Sequence, residues 1–212
     1  MGVVKRSAAA VVTALLLGLT GCGSDAGAAV RPAEAPATTA AIKQSPYAGL
    51  VVLPRGFVPD PKHTSGPFGI ESYLANYSAE PAIDRALLLN SGFVEGYRAS
   101  RLSPDKKQRY VIQLFKAATP ANAKMLADGF WRQEPRNKPF RVPGALSNAQ
   151  ATYDAATEKT EAVAEATFVV GTLVAQLSVR QAAPLGTSIH PNTALITELA
   201  ARQRAGLTST SS

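Results

Sequence analysis

The sequence predicts an α+β domain, an antiparallel sheet of about five to six strands packed with about two to three helices. Three observations predict it. Two apolar-rich arms flank a polar turn at residues 103–107, a second pair flanks Gly171-Thr172, and segments with helical spacing precede, separate and follow them. Helical and strand periods therefore alternate along one chain without the regular strand–helix repeat of a parallel sheet.

The elements follow in order. Residues 49–53 form a short apolar strand candidate ended by Pro54, and Pro59, Pro61, Gly66 and Pro67 make an irregular loop that carries His63. Residues 68–77 are ambiguous between strand and short helix. A helix is expected over residues 81–91. Pro81 suits its first turn, Ile83, Ala86, Leu87 and Asn90 share one face that Leu88 widens, and Gly92 ends it. Residues 93–102 and 108–117 are strand arms. The second places Tyr110, Ile112 and Leu114 on one face and Val111 and Phe115 on the other, which marks a central strand covered on both sides. Thr119-Pro120 supplies an N-cap and a first-turn proline for a second helix with an inner stripe of Ala123, Leu126, Ala127 and Phe130, bordered by Trp131. Pro135 and Pro139 end it. Residues 150–154 read as a strand. Residues 162–170 and 173–181 read as a hairpin closed by Gly171-Thr172, where glycine at the first turn position suits a type II′ connection. A last helix spans residues 191–205 with Leu195, Ile196 and Leu199 inward, and Gly206 closes it.

The start of the chain is of a different kind. Lys5 and Arg6 precede an uncharged run over residues 7–19, too short for the ~20 apolar residues of a membrane-spanning helix and right for the apolar region of a signal peptide. The run ends in Leu19-Thr20-Gly21-Cys22. This motif resembles the lipobox of bacterial lipoproteins at every position. The resemblance implies that the Cys22 thiol takes a diacylglyceryl group, that signal peptidase II cuts before it, and that the protein is held on the extracytoplasmic face of the cell membrane. One acyl chain binds a membrane reversibly, whereas two hold durably, since each buried methylene contributes ~0.8 kcal/mol. The expected organisation is a signal peptide over 1–21, the lipidated Cys22 and an Ala/Pro/Thr-rich tether over 22–46, one α+β domain over 47–207 and a polar tail over 208–212. The tether has too few large apolar residues to order itself and would reach roughly 25–30 Å. The element order resembles small actinobacterial cell-envelope lipoproteins, some of them Mog1/PsbP-like, and is similar to cystatin-like folds; neither likeness carries a motif or transfers a residue.

Cys22 is the one cysteine, so no intrachain disulfide forms. No Gly-rich phosphate loop, GxSxG elbow or HExxH helix occurs. His63 and His190 are the only histidines and lie far apart, so neither a metal nor a cofactor is expected. Glu158, Glu161 and Glu165 cluster at the entry to a hairpin, where they are expected to solvate an edge. The net charge is +7, and residues 95–141 alone hold 11 basic and 4 acidic residues. Within that segment Arg98, Arg101, Lys106, Lys107 and Arg109 surround one hairpin turn and form a candidate surface for an anionic partner, lipid headgroup, envelope polymer or envelope protein. Arg132, Arg136, Lys138 and Arg141 form a second basic group. Nucleic acid is not an expected partner for an exported, lipid-anchored chain. The sequence thus reads as a non-enzymatic envelope lipoprotein. Either an apolar cleft between sheet and helices holds a lipid-like ligand, or the basic hairpin docks a partner. The alternatives are an envelope hydrolase with a histidine, carboxylate and hydroxyl in a polar cleft, and an assembly or regulatory factor.

Overall fold

A computed structural model describes residues 45–134, 138–155 and 157–210. The expected signal peptide, Cys22 and nearly all of the expected tether lie outside the described residues, as does Arg136.

The domain is α+β, with four helices and an antiparallel sheet of eight strands. The long strands are β3 (Phe93–Leu102), β4 (Gln108–Ala117), β6 (Leu146–Asp154), β7 (Lys159–Val170) and β8 (Leu173–Pro184). Three very short ones, β1 (Val58–Pro59), β2 (Gly66–Phe68) and β5 (Lys138–Pro139), pair at the two edges. The order is β1-β3-β4-β8-β7-β6-β5, with β2 also on β3. The count exceeds the expected five to six because the additions lie in proline-bearing segments that offer no alternating pattern; proline is tolerated at an edge, where its missing N–H faces no neighbour. The helices are α1 (Ile70–Asn76), α2 (Pro81–Asn90), α3 (Pro120–Gln133) and α4 (Thr193–Thr210). None of the described helices is long and apolar enough to cross a membrane.

The two expected strand pairs are present. β3 and β4 have the anticipated bounds, and β4 lies between β3 and β8. β7 and β8 join through Gly171, whose φ of +57° is the left-handed value that glycine adopts without strain. Thr119 caps α3 by accepting the Asn122 amide at 3.1 Å, and Ala123, Leu126, Ala127 and Phe130 are its buried stripe, as the spacing predicts.

Side chains of the strands sort to two faces. One face is apolar along its length: Tyr110, Ile112 and Leu114 of β4, Ala175, Leu177 and Val179 of β8, and Ala164, Ala166 and Phe168 of β7 pack under Ile196, Leu199, Ala200 and Leu207 of α4. On the other face α1, α2 and α3 cover a second cluster around Phe115, Phe68, Tyr73, Leu88 and Phe130. Here rings meet edge to face, Phe68 and Phe115 at 5.3 Å and Tyr73 and Phe115 at 5.4 Å, an arrangement favoured by the ring quadrupoles. Gly96 makes room for this packing, since a Cβ there would stand 2.2 Å from the Phe68 ring.

Three expectations are corrected. Residues 49–53 form no strand; Pro46–Gly49 is a 3-10 turn, and the chain beyond it joins no ladder. Its backbone is satisfied by side chains instead. The Gln203 amide, fully buried on α4, accepts from Val52 N at 2.6 Å and donates to the Leu50 carbonyl at 2.8 Å, while the Tyr110 hydroxyl donates to the Val52 carbonyl at 3.0 Å. Second, α2 turns Asp84 and Leu88 inward and leaves Ile83, Ala86 and Asn90 exposed. Periodicity fixes a stripe's width and leaves its direction open, and here the Asp84 carboxylate accepts from Ser78 Oγ at 2.6 Å while Leu87 packs against Gly129 of α3. Third, α4 does not stop at Gly206 but runs to Thr210. Leu207 is fully buried and continues the Leu199–Gln203 face by one turn, so packing outweighs the ~1 kcal/mol that a helical glycine costs.

Because Gln203 serves two backbone groups at once, Gln203→Leu is expected to destabilise the domain by about 2–3 kcal/mol, read from urea midpoints. A change within ~0.5 kcal/mol would show that the segment around Val52 is held by apolar contact alone.

Candidate functional site

The antiparallel register arranges the second face of the sheet in cross-strand rows. Gly96, Phe115, Val174 and Val169 form the apolar row beneath the helices. The next row is Arg98, Gln113, Gln176 and Thr167. Beyond it come Ser100, Val111, Ser178, Glu165 and Asn148, and then Leu102, Arg109, Arg180 and Val163. The face thus changes from apolar to polar within one row, at the limit of the helical cover. The cleft opens there. Its larger part has a volume of about 350 Å³ and lies between the polar rows, Tyr73 and Tyr77, the start of α2 at Asp84, and the end of α3 at Phe130, Trp131 and Glu134. A narrower arm of about 240 Å³ continues past Gln113 and Ser178 to Arg98, Arg109, Arg180 and His63.

The larger part holds a carboxyl pair. Glu134, just past the end of α3, and Glu165, on β7, are joined by a hydrogen bond between their side chains. Burial pushes both above the ordinary carboxylate range, Glu165 to about 7, where the neighbouring Glu134 adds to the effect. The pair therefore retains a proton below about pH 7. Asn148 Nδ2 lies 3.5 Å from Glu165 Oε1. Glu165 was expected to solvate a hairpin edge; it is instead on an inward-facing position because it shares its parity with Val163 and Thr167. Glu161 lies within 3.7 Å of Arg180, and Glu158 is exposed.

The arm is cationic. The buried Asp60 carboxylate accepts from Arg109 Nε at 2.8 Å, Ser100 Oγ at 3.1 Å and the Lys62 amide at 3.0 Å. Burial alone would raise its pKa, but these three bonds outweigh it and hold Asp60 below the usual carboxylate range. Arg98 has no such carboxylate. Its guanidinium stacks 4.5 Å from the Tyr77 ring centre, and its Nε is buried without a hydrogen-bond partner among the described residues, as is the adjacent Gln113 Nε2. Burial, with Arg180 and Arg109 nearby, depresses the Arg98 pKa, though an arginine stays ionised.

The five basic residues singled out from the sequence do not form one patch. Arg98 and Arg109 enter the cleft. Arg101, of opposite parity, donates to Ser65 Oγ at 3.2 Å and the Ser100 carbonyl at 2.9 Å. Lys106 and Lys107 are exposed at the hairpin tip, Lys106 with a φ of 58°. Arg180 joins the cationic group from the neighbouring strand β8 and was not anticipated. Gln113, Gln176, Ser178, Glu165 and Thr167 were not anticipated either. Their signal was available as polar residues alternating with buried apolar ones in central strands. His63 borders the arm, but no hydrogen bond joins its ring to a carboxylate or hydroxyl among the described residues; burial, then the charge of Arg109, lowers its pKa. His190 is exposed, with Ser188 Oγ 3.3 Å from Nε2. No group of three or more potential metal ligands occurs among the described residues. The cleft between sheet and helices is therefore polar and charged over much of its lining, where one of the two competing readings expected an apolar one.

No family model matches the chain, and no curated protein matches it by sequence. Among solved structures, the extracellular domain of PknH from Mycobacterium tuberculosis is similar at a TM-score of 0.34 and 8% identity, covering 73% of this chain and 80% of that one. A likeness of that degree transfers no residue and no activity.

The raised Glu165 pKa has a defined consequence for stability. The folded state holds this proton more tightly than the unfolded chain, so stability falls as pH rises from about 4.5 to about 7. Glu165→Gln, which mimics the protonated form, is expected to flatten that dependence by about 1–2 kcal/mol after solvent screening. Denaturation at pH 5 and pH 8 measures it; equal slopes in variant and parent would place the retained proton elsewhere.

Proposed function

We propose that this chain is a lipid-anchored lipoprotein of the cell envelope whose domain binds a small polar ligand in the cleft and has no catalytic activity of its own. The anchor rests on Leu19-Thr20-Gly21-Cys22 and the basic and apolar regions before it. The binding role rests on one observation: a preformed cleft lined by Arg98 and Gln113, each of which holds a buried nitrogen, Nε and Nε2, with no hydrogen-bond partner among the described residues. Leaving a buried donor unsatisfied costs about 1–3 kcal/mol. A ligand toward which these side chains turn, and which accepts from them, would recover that cost.

The lining favours a polar ligand over a lipid-like one. Most apolar side chains of both sheet faces pack under the helices, and beside Val111, Phe130 and Trp131 the cleft presents amide, hydroxyl, carboxyl and guanidinium groups. Binding is favoured over hydrolysis by the carboxyl geometry. Glu134 and Glu165 bond directly to each other, whereas two-carboxylate glycoside hydrolysis needs the groups about 5–9.5 Å apart on either side of a sugar.

Two measurements test the two halves. Cys22→Ser is expected to abolish incorporation of a palmitate analogue; equal labelling of variant and parent would refute the anchor. Native mass spectrometry of the detergent-purified full chain is expected to show a bound small molecule, lost in Gln176→Trp, which fills the cleft. A parent mass matching the lipidated polypeptide alone, with no polar metabolite shifting its thermal midpoint, would refute the ligand.

A further inference from the structure

The cleft is electrically divided. Its larger part carries Glu80, Asp84, Glu134 and Glu165 in its walls, with Arg180 at the boundary it shares with the narrower arm, whose lining contains no carboxylate and three arginines, Arg98, Arg109 and Arg180. Two of the arginines are compensated: Arg109 by Asp60 at 2.8 Å, and Arg180 by Glu161 at 3.7 Å. Arg98 has no carboxylate within 4.0 Å among the described residues. It is half-buried, next to two like charges, with only the face of Tyr77 to offset its charge. Arg98 and Gln113 are directly opposed across β3 and β4, so the two side chains with unfilled donors are cross-strand neighbours. Ser178, Asn76 and His63 border the same space. A charged donor and neutral donors converging on a small concave space, with the nearest carboxylate already engaged, is the arrangement that recognises an oxyanion.

The partition also orients the ligand. An anion is repelled from the carboxyl pair and drawn to Arg98. The remainder of a bound molecule then extends past Gln176 and Ser178 toward Glu134 and Glu165, among groups that both donate and accept, beside the rings of Tyr73 and Trp131. Such a lining suits hydroxyls.

We propose that the narrow arm is an oxyanion subsite, and that the ligand is a small hydroxylated molecule carrying a phosphate or carboxylate, its anion at Arg98 and its hydroxyls toward Glu134 and Glu165. The inference rests on the cleft being a ligand site and specifies the chemistry of what enters it.

Nitrogen-15 NMR of the detergent-purified full chain, with the Arg98 Nε–H resonance assigned, tests it on the unaltered protein. Four probes are titrated: inorganic phosphate, glucose 6-phosphate, glucuronate and glucose. Inorganic phosphate is expected to shift the Arg98 Nε–H resonance saturably at millimolar concentration. Glucose 6-phosphate or glucuronate is expected to bind at least about tenfold more tightly than glucose, and the tighter of the two identifies the anion as phosphate or carboxylate. Arg98→Gln is expected to remove the preference, whereas Arg101→Gln, on the opposite face of the same strand, retains it. Glucose binding as well as the anions, with Arg98 unmoved, would overturn the subsite while leaving the cleft a site for polar ligands. Failure of every probe to move Arg98 would overturn the subsite as well.

Discussion

Register in one antiparallel ladder is the constraint on which the structure depends. β3, β4, β8 and β7 are paired without interruption through the centre of the sheet, so residues of like chemistry fall into rows across four strands. On one face the central rows, at Tyr110, Ile112 and Leu114, are apolar through β4, β8 and β7, and α4 covers them. On the other, the row at Phe115 is apolar and the row at Gln113 is not. A one-residue slip of any one strand would exchange its two faces and place its polar residues, such as Gln113 of β4 or Gln176 and Arg180 of β8, on the α4 side. The same register that builds the hydrophobic core therefore assembles the cleft.

Two side chains tie the layers to this ladder at its margins. Gln203 fastens the segment around Val52 onto α4 and closes the apolar face. Asp60 does the equivalent for the long loop before β2, binding Ser100 of β3 and Arg109 of β4. Both are buried polar groups with their hydrogen-bonding capacity used, so each confers a defined position on a segment that has no regular structure of its own. The loop that Asp60 anchors brings His63 to the edge of the cationic arm.

Much of the scaffold was legible in the sequence. Strand parity in residues 108–117, the Gly171-Thr172 turn and the Thr119-Pro120 cap are local signals, and local signals survive folding. The inward face of α2 was not legible, because Asp84 inside and Ile83 outside reverse the usual order of hydropathy. Nor was the end of α4, where the burial of Leu207 prevails over Gly206. The short edge strands were hidden by prolines that suppress any alternating pattern.

The site was legible only in fragments. Arg98 and Arg109 stood out through the local excess of positive charge, but proximity in sequence suggested one patch with Arg101, Lys106 and Lys107. Strand alternation separates Arg101 from both, and the turn carries the lysines away. Arg180 and Glu165 arrive from strands about seventy residues farther on, as neighbours defined by pairing alone. What could have been read is that Gln176, Ser178 and Arg180 alternate with Ala175, Leu177 and Val179 in a strand buried on its other side.

A crystal structure of the lipidated protein purified from its own cells tests the central claim most directly. The account predicts non-protein density in the cleft, continuous from the Arg98 guanidinium to the Glu134–Glu165 pair. Ordered water alone along that path, with Arg98 turned to a protein carboxylate, would contradict it.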